Sequence, residues 1–340
     1  MRANSTPRAV SPGKRTLVLG ATGTIGRATV NALVGQGCEV VCFVRPAASA
    51  KAVDKQSLQG GFPEGVTVRS GHVSDPASLA LDGICGEHFD ALVSCMASRT
   101  GAPRDAWAVD HQAHSVALRV AKQAGIAQMV LLSAICVQKP LLEFQKAKLA
   151  FEAELTASGL TYSIVRPTAF FKSLSGQIDR VRRGKPFLLF GSGELTACKP
   201  ISDRDLGAFI AGCVTDESLW NRILPVGGPG PAITPRQQGE KLFALFGREL
   251  KFKHVPVAMM DVIIAALGIA GRVSSRLVDK AELARIGRYY ATESMLVLDP
   301  ETGRYDENLT PSYGSDTLFD FYEKVLRGEA SVERGDHAVF

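Results

Sequence analysis

A glycine-rich segment near the start of the chain, TLVLGATGTIG at residues 16–26, constrains the fold more than any other stretch. A short apolar run rich in β-forming residues ends at Gly20, further glycines follow at Gly23 and Gly26, and the next residues have the apolar period of a helix. A second apolar run, EVVCFV at residues 39–44, comes where a βαβ unit requires its next strand. The pattern predicts an α/β protein with a Rossmann-type, doubly wound parallel sheet.

The spacing of the three glycines predicts a turn that binds a dinucleotide. Gly20 allows a sharp turn, Gly23 lets backbone N–H groups approach a pyrophosphate, and Gly26 lets the helix pack closely on the strand. The helix N-terminus adds partial positive charge, which favours a diphosphate. Glycines also gather in ordinary turns, so the flanking strand and helix carry this interpretation. The GxxGxxG spacing resembles that of the short-chain dehydrogenase/reductase superfamily, in its extended or atypical branches.

The end of the second predicted strand indicates which nicotinamide cofactor is bound. NAD-specific sites usually have an acidic residue here that binds the ribose 2′-OH, whereas this chain has Arg45. A guanidinium can bind a 2′-phosphate through paired, charge-assisted hydrogen bonds, so the predicted cofactor is NADPH. Arg27 is a second candidate phosphate contact, with solvent-exposed surface as the alternative for both arginines. Asp75 is expected to lie near the adenine of the cofactor, to cap the helix that begins at Pro76, or to do both.

The predicted active-site helix departs from the ordinary pattern of that superfamily, which is a Ser after the fifth strand followed by Tyr-x-x-x-Lys. Ser133 and Lys148 are present, but the residue four before the lysine is Phe144. Phenylalanine has no proton to give, so carbonyl reduction by the tyrosine route is disfavoured, while Lys148 can hold the nicotinamide ribose or donate a proton. The candidate cofactor-binding residues are Gly20, Thr22, Gly23, Thr24, Ile25, Gly26, Arg27, Arg45, Asp75, Ser133 and Lys148.

Composition limits the classes of function that the chain can serve. The net charge of +5 comes from scattered Lys and Arg without a long basic block, so nucleic-acid binding is not indicated, and only a weak attraction to anionic lipid surfaces is expected. The seven cysteines show no CxxC or Cys/His spacing for zinc, and we interpret them as buried thiols of a reducing compartment. The longest apolar stretch, residues 255–270, contains Asp261 and is too short to span a bilayer; a buried or substrate-lining helix is expected there.

Four segments are predicted along the chain. Residues 1–14 are expected to be a disordered leader without the apolar core of a secretory signal, and residues 331–340 a tail. Residues 15–170 are expected to form the NADP-binding Rossmann core, and residues 171–330 to complete the sheet and form a smaller substrate lobe. One long helix is predicted over residues 107–124, and Asp203 is expected to cap the helix at 204–214.

Several segments together resemble one narrow family, the NADPH-dependent 8-vinyl reductases of chlorophyll and bacteriochlorophyll biosynthesis. The resemblance runs from about residue 14 to about residue 326, and it is carried by GATGTIG at 20–26, LVSCMASRTG at 92–101, PLLEFQKAKLAFE at 140–152, VRPTAFFKSLSGQ at 165–177 and YYATESMLV at 289–297. It implies an atypical short-chain reductase that converts the 8-vinyl group of a divinyl (proto)chlorophyllide, a magnesium tetrapyrrole, to ethyl. That family also lacks the tyrosine, in agreement with Phe144. The short leader points to a bacterial, cytoplasmic member; a eukaryotic one would act in the plastid stroma.

The chemistry of that reaction suggests further candidates. Lys148 is the predicted catalytic residue, as ribose anchor or proton source, with water or Tyr290 as alternative proton donors. Candidate pigment contacts are Phe170, Phe171, Met259 and Met260, although each is individually more typical of hydrophobic core. Two other functions stay open, an isoflavone-reductase-like enzyme acting on a phenolic substrate and a non-catalytic NADP-binding sensor or assembly factor of the NmrA type. No protein metal site is predicted, and the sequence does not indicate an oligomeric state.

Overall fold

A seven-stranded parallel sheet forms the centre of the protein in a computed structural model that describes residues 13–46, 61–271 and 275–331. Its strand order is β3-β2-β1-β4-β5-β6-β8, with every neighbouring pair parallel, so the predicted doubly wound sheet is confirmed. Two small pairs, β7 with β9 and β10 with β11, lie outside it. The strands in chain order are β1 (Arg15–Leu19), β2 (Glu39–Val44), β3 (Thr67–Ser70), β4 (Ala91–Ser94), β5 (Gln128–Leu132), β6 (Thr161–Pro167), β7 (Phe187–Phe190), β8 (Arg222–Val226), β9 (Phe252–Val255), β10 (Val297–Leu298) and β11 (Tyr305–Asp306).

Helices cover both faces of the sheet and build the second lobe. In chain order they are α1 (Thr24–Gly35), α2 (Pro76–Ser78), α3 (Pro103–Ala106), α4 (His114–Gln123), α5 (Glu143–Thr156), α6 (Phe171–Leu174), α7 (Ile178–Arg182), α8 (Asp203–Thr215), α9 (Pro235–Leu245), α10 (Val257–Ala270), α11 (Ser275–Thr292) and α12 (Leu318–Arg327). The long helix predicted over 107–124 is interrupted, because a π-helical segment, Trp107–Ala113, joins α3 to α4. π-Helical segments are rare in proteins, and those that occur are often found at functional sites.

One face of the sheet is covered by α1 and α8, which cross at a glycine. A Cβ atom on Gly207 of α8 would lie 2.5 Å from the carbonyl carbon of Ala28 on α1, so only glycine permits this approach. Side chains of both helices and of the strands beneath them form one continuous core, including Val30, Leu33 and Ile210. On the opposite face, a second core contains side chains of α4 and α5. The cofactor turn therefore rests on a rigid layer.

A separate hydrophobic cluster supports the predicted substrate lobe. It combines residues after β6 with α12, the last helix among the described residues, whose Tyr322 is fully buried and donates a hydrogen bond to the Leu174 carbonyl at 2.8 Å. The parallel pair β7–β9 contributes Phe187 and Leu189 to the same cluster. The division of the chain at residue 170 stays a prediction, and the leader predicted at 1–14 and the tail at 331–340 fall almost entirely outside the described residues.

Several local expectations need correction. The cap of α8 is Ser202, whose hydroxyl accepts from the Asp205 amide at 3.0 Å, so Asp203 is the first helical residue. Helix α10 forms as predicted, but none of its residues is buried, so the interpretation as a buried helix is wrong. Five cysteines are buried, whereas Cys85 is exposed and Cys95 is partly exposed. Within the three described ranges, the structure contains no helix long and apolar enough to cross a membrane.

Candidate functional site

The glycine turn lies at the carboxyl end of β1, where the strand order reverses between β1 and β4. Gly20 has a φ of +74°, and a Cβ there would lie 2.6 Å from the carbonyl carbon of Cys95, just after β4. A Cβ on Gly26 would lie 2.1 Å from the Gly20 carbonyl oxygen. Both glycines are therefore needed to bring β1, β4 and α1 together. In open parallel sheets, ligands bind in the crevice at such a reversal.

Gly23 differs from the other two glycines because the protein leaves space around it. The nearest atom to a Cβ on Gly23 would be the Gly20 oxygen, at an ordinary contact distance of 3.4 Å. Gly23 is the N-cap of α1 and offers no side chain to the first amides of the helix, which are those of Thr24, Ile25 and Gly26. These amides have no intrahelical acceptors, so the turn fits the diphosphate of a dinucleotide. Thr22 lies in the same turn, and its carbonyl accepts from Arg27 Nε at 3.3 Å.

The charged cofactor candidates lie around this turn in different environments. Arg45 is exposed at the end of β2. Arg27 extends over the Phe62 ring and donates to the Gly61 carbonyl at 3.0 Å, so it fastens a neighbouring loop to α1. Asp75 caps α2, since its carboxylate accepts from the Ala77 amide at 3.0 Å. That capping role is confirmed, while the contacts of all three residues with a cofactor stay predictions.

Lys148 is held inside the protein by a carboxylate that the sequence did not single out. Its Nζ lies 2.9 Å from Oδ1 of Asp110, whose side chain is fully buried, and the lysine side chain is 10% exposed. The same oxygen accepts from the Ser98 amide at 3.2 Å, while Oδ2 has no hydrogen-bond partner among the described groups. Asp110 lies on the π-helical segment. Asp105, His111, Gln112 and His114 lie in or beside this segment, so no local sequence signal distinguished Asp110 as the partner of Lys148.

A buried histidine lies beside this ion pair. His114 Nδ1 is 2.8 Å from the Val109 carbonyl, and Nε2 is 2.8 Å from the Ser94 hydroxyl at the end of β4. A carbonyl only accepts, so Nδ1 carries the proton and Nε2 accepts from the serine. Burial and, as a smaller cause, the Lys148 ammonium together lower the pKa of His114 to about 4. The ring is therefore neutral at physiological pH.

Ser133 occupies the predicted place after β5, but its hydroxyl is already hydrogen-bonded within the protein. Its hydroxyl donates to Glu152 of α5, which also pairs with Arg166 of β6. Ser133 is 5% exposed and Glu152 is 3% exposed. Together with Asp110, His114 and Lys148, Ser133 lines one small space at the carboxyl ends of β4 and β5. The structure thus brings Ser133 and Lys148 together at one space, which Asp110 and His114 also line.

Helix α11 covers the amino end of α5, where the missing tyrosine would stand. Phe144 packs in a cluster with Ile286, and Glu282 of α11 accepts from the Glu143 amide at 3.1 Å. A carboxylate at a helix N-terminus is favourable, so Glu282 helps to fix α5. The hydroxyl of Tyr290 lies 4.0 Å from the sulfur of the buried Cys136, although 37% of this tyrosine is exposed.

The four predicted pigment contacts are not alike in the structure. Phe171 is 4% exposed and packs against Phe321 in the lobe core, with ring centroids 5.6 Å apart, so its burial counts against direct contact with a pigment. Phe170 is half-buried against the sheet core. Met259 is 50% exposed on α10, and Met260 beside it is half-buried. Their assignment to a substrate stays a prediction.

Comparisons with known proteins agree with this geometry. A family model described as NAD(P)H-binding matches residues 20–217. The chain is 49% identical to divinyl chlorophyllide a 8-vinyl-reductase of Oryza sativa subsp. indica over 98% of this chain and 84% of the relative, and 48% identical to that of Arabidopsis thaliana over 94% and 79%. It also resembles the NADPH-dependent quinone oxidoreductase QOR2 of Escherichia coli, with a TM-score of 0.64 at 18% identity, covering 92% of this chain and 99% of the other.

The parallel sheet, the glycine turn and the matched family model define an NAD(P)H-binding protein of the Rossmann type. The solved structure supports the fold alone, because its sequence identity is low. The curated relatives are far closer, and they match almost from end to end. The chain therefore belongs to the family of divinyl chlorophyllide a 8-vinyl-reductases.

Proposed function

We propose that this protein reduces the 8-vinyl group of a divinyl chlorophyllide or protochlorophyllide to ethyl, using NADPH. The observation that carries the proposal is the near end-to-end identity of about half of all residues with named 8-vinyl reductases. The phenylalanine at position 144, in place of the usual tyrosine, agrees with this function, because conjugate reduction of an alkene needs no tyrosine to protonate a carbonyl.

The turn residues and the arginine at the end of β2 would hold the cofactor. The free amides of α1 face the space that a diphosphate would occupy, and exposed Arg45 would bind the 2′-phosphate. NADPH, when bound, supplies the hydride. The protein has to place the pigment at reacting distance and exclude water, since orientation and a dry site provide much of the rate acceleration.

The second hydrogen of the new ethyl group arrives as a proton. Hydride addition to the terminal vinyl carbon places negative charge on the pigment, and this charge spreads into the macrocycle until a proton is added. Lys148 is the proposed anchor of the nicotinamide ribose or proton source, and the Asp110 carboxylate keeps its ammonium in place. Water and Tyr290 are the alternative donors.

A direct assay tests this function. The purified protein is incubated with NADPH and either divinyl chlorophyllide or divinyl protochlorophyllide, and the Soret band of the pigment is followed. A blue shift, with the monovinyl pigment as product, is expected. Binding of NADPH without conversion of either pigment would contradict the proposal and favour the non-catalytic alternative; turnover of a phenolic substrate instead would favour an isoflavone-reductase-like enzyme.

We also propose a weak association of the protein with membrane surfaces, which suits a large apolar substrate. Helix α10 exposes Val262 and Ile269, each 68% accessible. An exposed cation, Lys253, lies on β9, four residues before α10 begins at Val257. Apolar side chains next to cations favour an anionic lipid surface. The proposed compartment is the cytoplasm of a bacterium or the stroma of a plastid; the named relatives are chloroplastic.

A further inference from the structure

We propose that Lys172 binds the diphosphate of the nicotinamide cofactor, from the carboxyl end of β6. The inference rests on the proposed cofactor site and adds to it a residue that the glycine pattern does not include. Lys172 is distant from the turn in sequence, but the parallel sheet brings the two together. Its Nζ donates a hydrogen bond to the Thr24 hydroxyl at 3.1 Å, across 148 residues of chain.

The backbone that leads into Lys172 is held by the three residues before it. Phe171, its neighbour on α6, is buried in the lobe core against Phe321. Just before α6, the Ala169 carbonyl accepts from the Ile201 amide at 2.9 Å, and Phe170 forms a parallel bridge with Ile201. From this held backbone, the lysine side chain extends to Thr24 of α1. Its position is therefore a property of the fold, as a binding residue requires.

The place that Lys172 reaches is electrostatically unfavourable for a cation alone. Thr24 is the first residue of α1, and the amino end of a helix carries partial positive charge. The first turn, Thr24-Ile-Gly-Arg27, contains no acidic residue, and the N-cap Gly23 has no side chain to offset that charge. An ammonium, a helix N-terminus and a row of free amides thus meet in one place. An anion between them would relieve the repulsion.

The acid beside Lys172 is Asp203, and it forms no ion pair with the lysine ammonium. Asp203, at the start of α8, is half-buried, and its Oδ1 has no hydrogen-bond partner among the described groups. Burial raises the pKa of this carboxyl, and the Lys172 ammonium opposes the increase. The bond to Thr24 uses one of the three N–H donors of the lysine. The other two can serve phosphate oxygens, with the Thr24 hydroxyl as a further donor.

The diphosphate and the 2′-phosphate lie at different parts of the cofactor, which makes the proposal separable from the role of Arg45. Arg45 follows β2, whereas Lys172 contacts the amino end of α1. NADPH and NADH share the diphosphate, but only NADPH has the 2′-phosphate. Loss of Lys172 must therefore weaken the binding of both cofactors by the same factor, whereas loss of Arg45 must weaken only the binding of NADPH.

The experiment is a calorimetric titration of NADPH and NADH into the full-length protein and four variants, Lys172→Met, Lys172→Arg, Arg45→Met and Lys185→Met. Lys185 is an exposed lysine on the loop after α7 and controls for the loss of one positive charge. We expect Lys172→Met to raise the dissociation constants of NADPH and NADH about tenfold each, since charge-assisted hydrogen bonds to phosphate have this magnitude. Lys185→Met is expected to leave both unchanged, and Lys172→Arg to restore most of the affinity.

Two results would overturn the proposal: an unchanged NADPH affinity in Lys172→Met, or a loss confined to NADPH. Circular dichroism and thermal unfolding establish that each variant is folded, and Lys172→Gln serves as a second substitution if the methionine variant is not. The titration needs no pigment, so failure of the vinyl reduction would leave this test intact. If the wild-type protein bound neither cofactor, the proposed function and this inference would both fail.

Discussion

At the scale of single residues, the ion pair of Lys148 and Asp110 combines a structural role with the proposed chemical one. Both side chains are buried, and a buried charge that loses its partner destabilises a protein by about 3–5 kcal/mol. A loss of activity on removing the lysine would therefore be ambiguous by itself. The unpartnered Oδ2 of Asp110 shows that this carboxylate already depends on few partners.

A pair of variants separates the two roles. Lys148→Met is expected to lower the free energy of unfolding by about 3 kcal/mol, and adding Asp110→Asn should recover most of that loss because no buried charge then remains. Urea denaturation measures the stability, and single-turnover hydride transfer measures the chemistry. If the double variant transfers hydride at the wild-type rate, Lys148 has no part in the reaction.

The neutral His114 makes stability depend on pH. Its pKa is about 4 in the folded protein against 6.5 for the ordinary group, so the unfolded chain binds the proton first as the pH falls. This contribution is fully present above pH 6.5 and is lost between pH 6.5 and 4, with a total of about 3 kcal/mol. We expect His114→Gln to flatten the stability curve over that window in urea denaturation. Parallel curves for the two proteins would contradict the assignment.

At the scale of elements, the crossing of α1 and α8 connects cofactor binding to packing. Two glycines of α8 provide a matched pair, because a Cβ on Gly207 would collide with Ala28 while a Cβ on Gly212 would meet nothing within 4 Å. The helix that bears the diphosphate site is thereby held from behind by its neighbour.

Gly207→Ala is expected to destabilise the protein by about 1–3 kcal/mol through overpacking and to weaken NADPH binding by shifting α1. Gly212→Ala should be neutral, or stabilising by up to about 1 kcal/mol, since alanine favours the helix. Thermal unfolding and cofactor titration on the two variants test this. Equal effects at the two positions would show that the crossing tolerates a side chain.

How far the sequence predicts these elements depends on the range of the signal. The glycine turn and β2 follow from local rules, and both were predicted with their neighbours in place. The break in the helix over 107–124 was missed, because a π-helical segment keeps an apolar pattern close to that of an α-helix. Pairings across the chain, such as Lys148 with Asp110 or Lys172 with Thr24, depend on tertiary contacts that no local period encodes.

At the scale of the whole molecule, apolar surface and charge are distributed unevenly. Helix α10, in the second lobe, exposes several large apolar side chains in one element, whereas the Rossmann part exposes single apolar residues such as Leu81. Scattered exposed leucines are ordinary, but an apolar helix without a buried residue is not. The proposed membrane association therefore belongs to one side of the protein.

Substitutions on the two sides test that proposal. We expect the double variant Val262→Glu with Ile269→Glu to reduce co-sedimentation with phosphatidylglycerol vesicles several-fold, because carboxylates add repulsion and remove apolar area. Leu81→Glu changes a residue that is 75% exposed in the Rossmann part and should leave vesicle binding unchanged. An equal decrease in both proteins would point to net charge alone.

The burial of Tyr322 has a consequence for the order of events during synthesis. The core of the second lobe is completed by α12, near the end of the chain, whereas its other members begin at Phe171. The nascent lobe therefore exposes apolar surface until α12 leaves the ribosome, long after the glycine turn and β1 have emerged. Chaperones that recognise apolar segments have their main opportunity in that interval, and a premature stop before α12 would produce a chain that they retain.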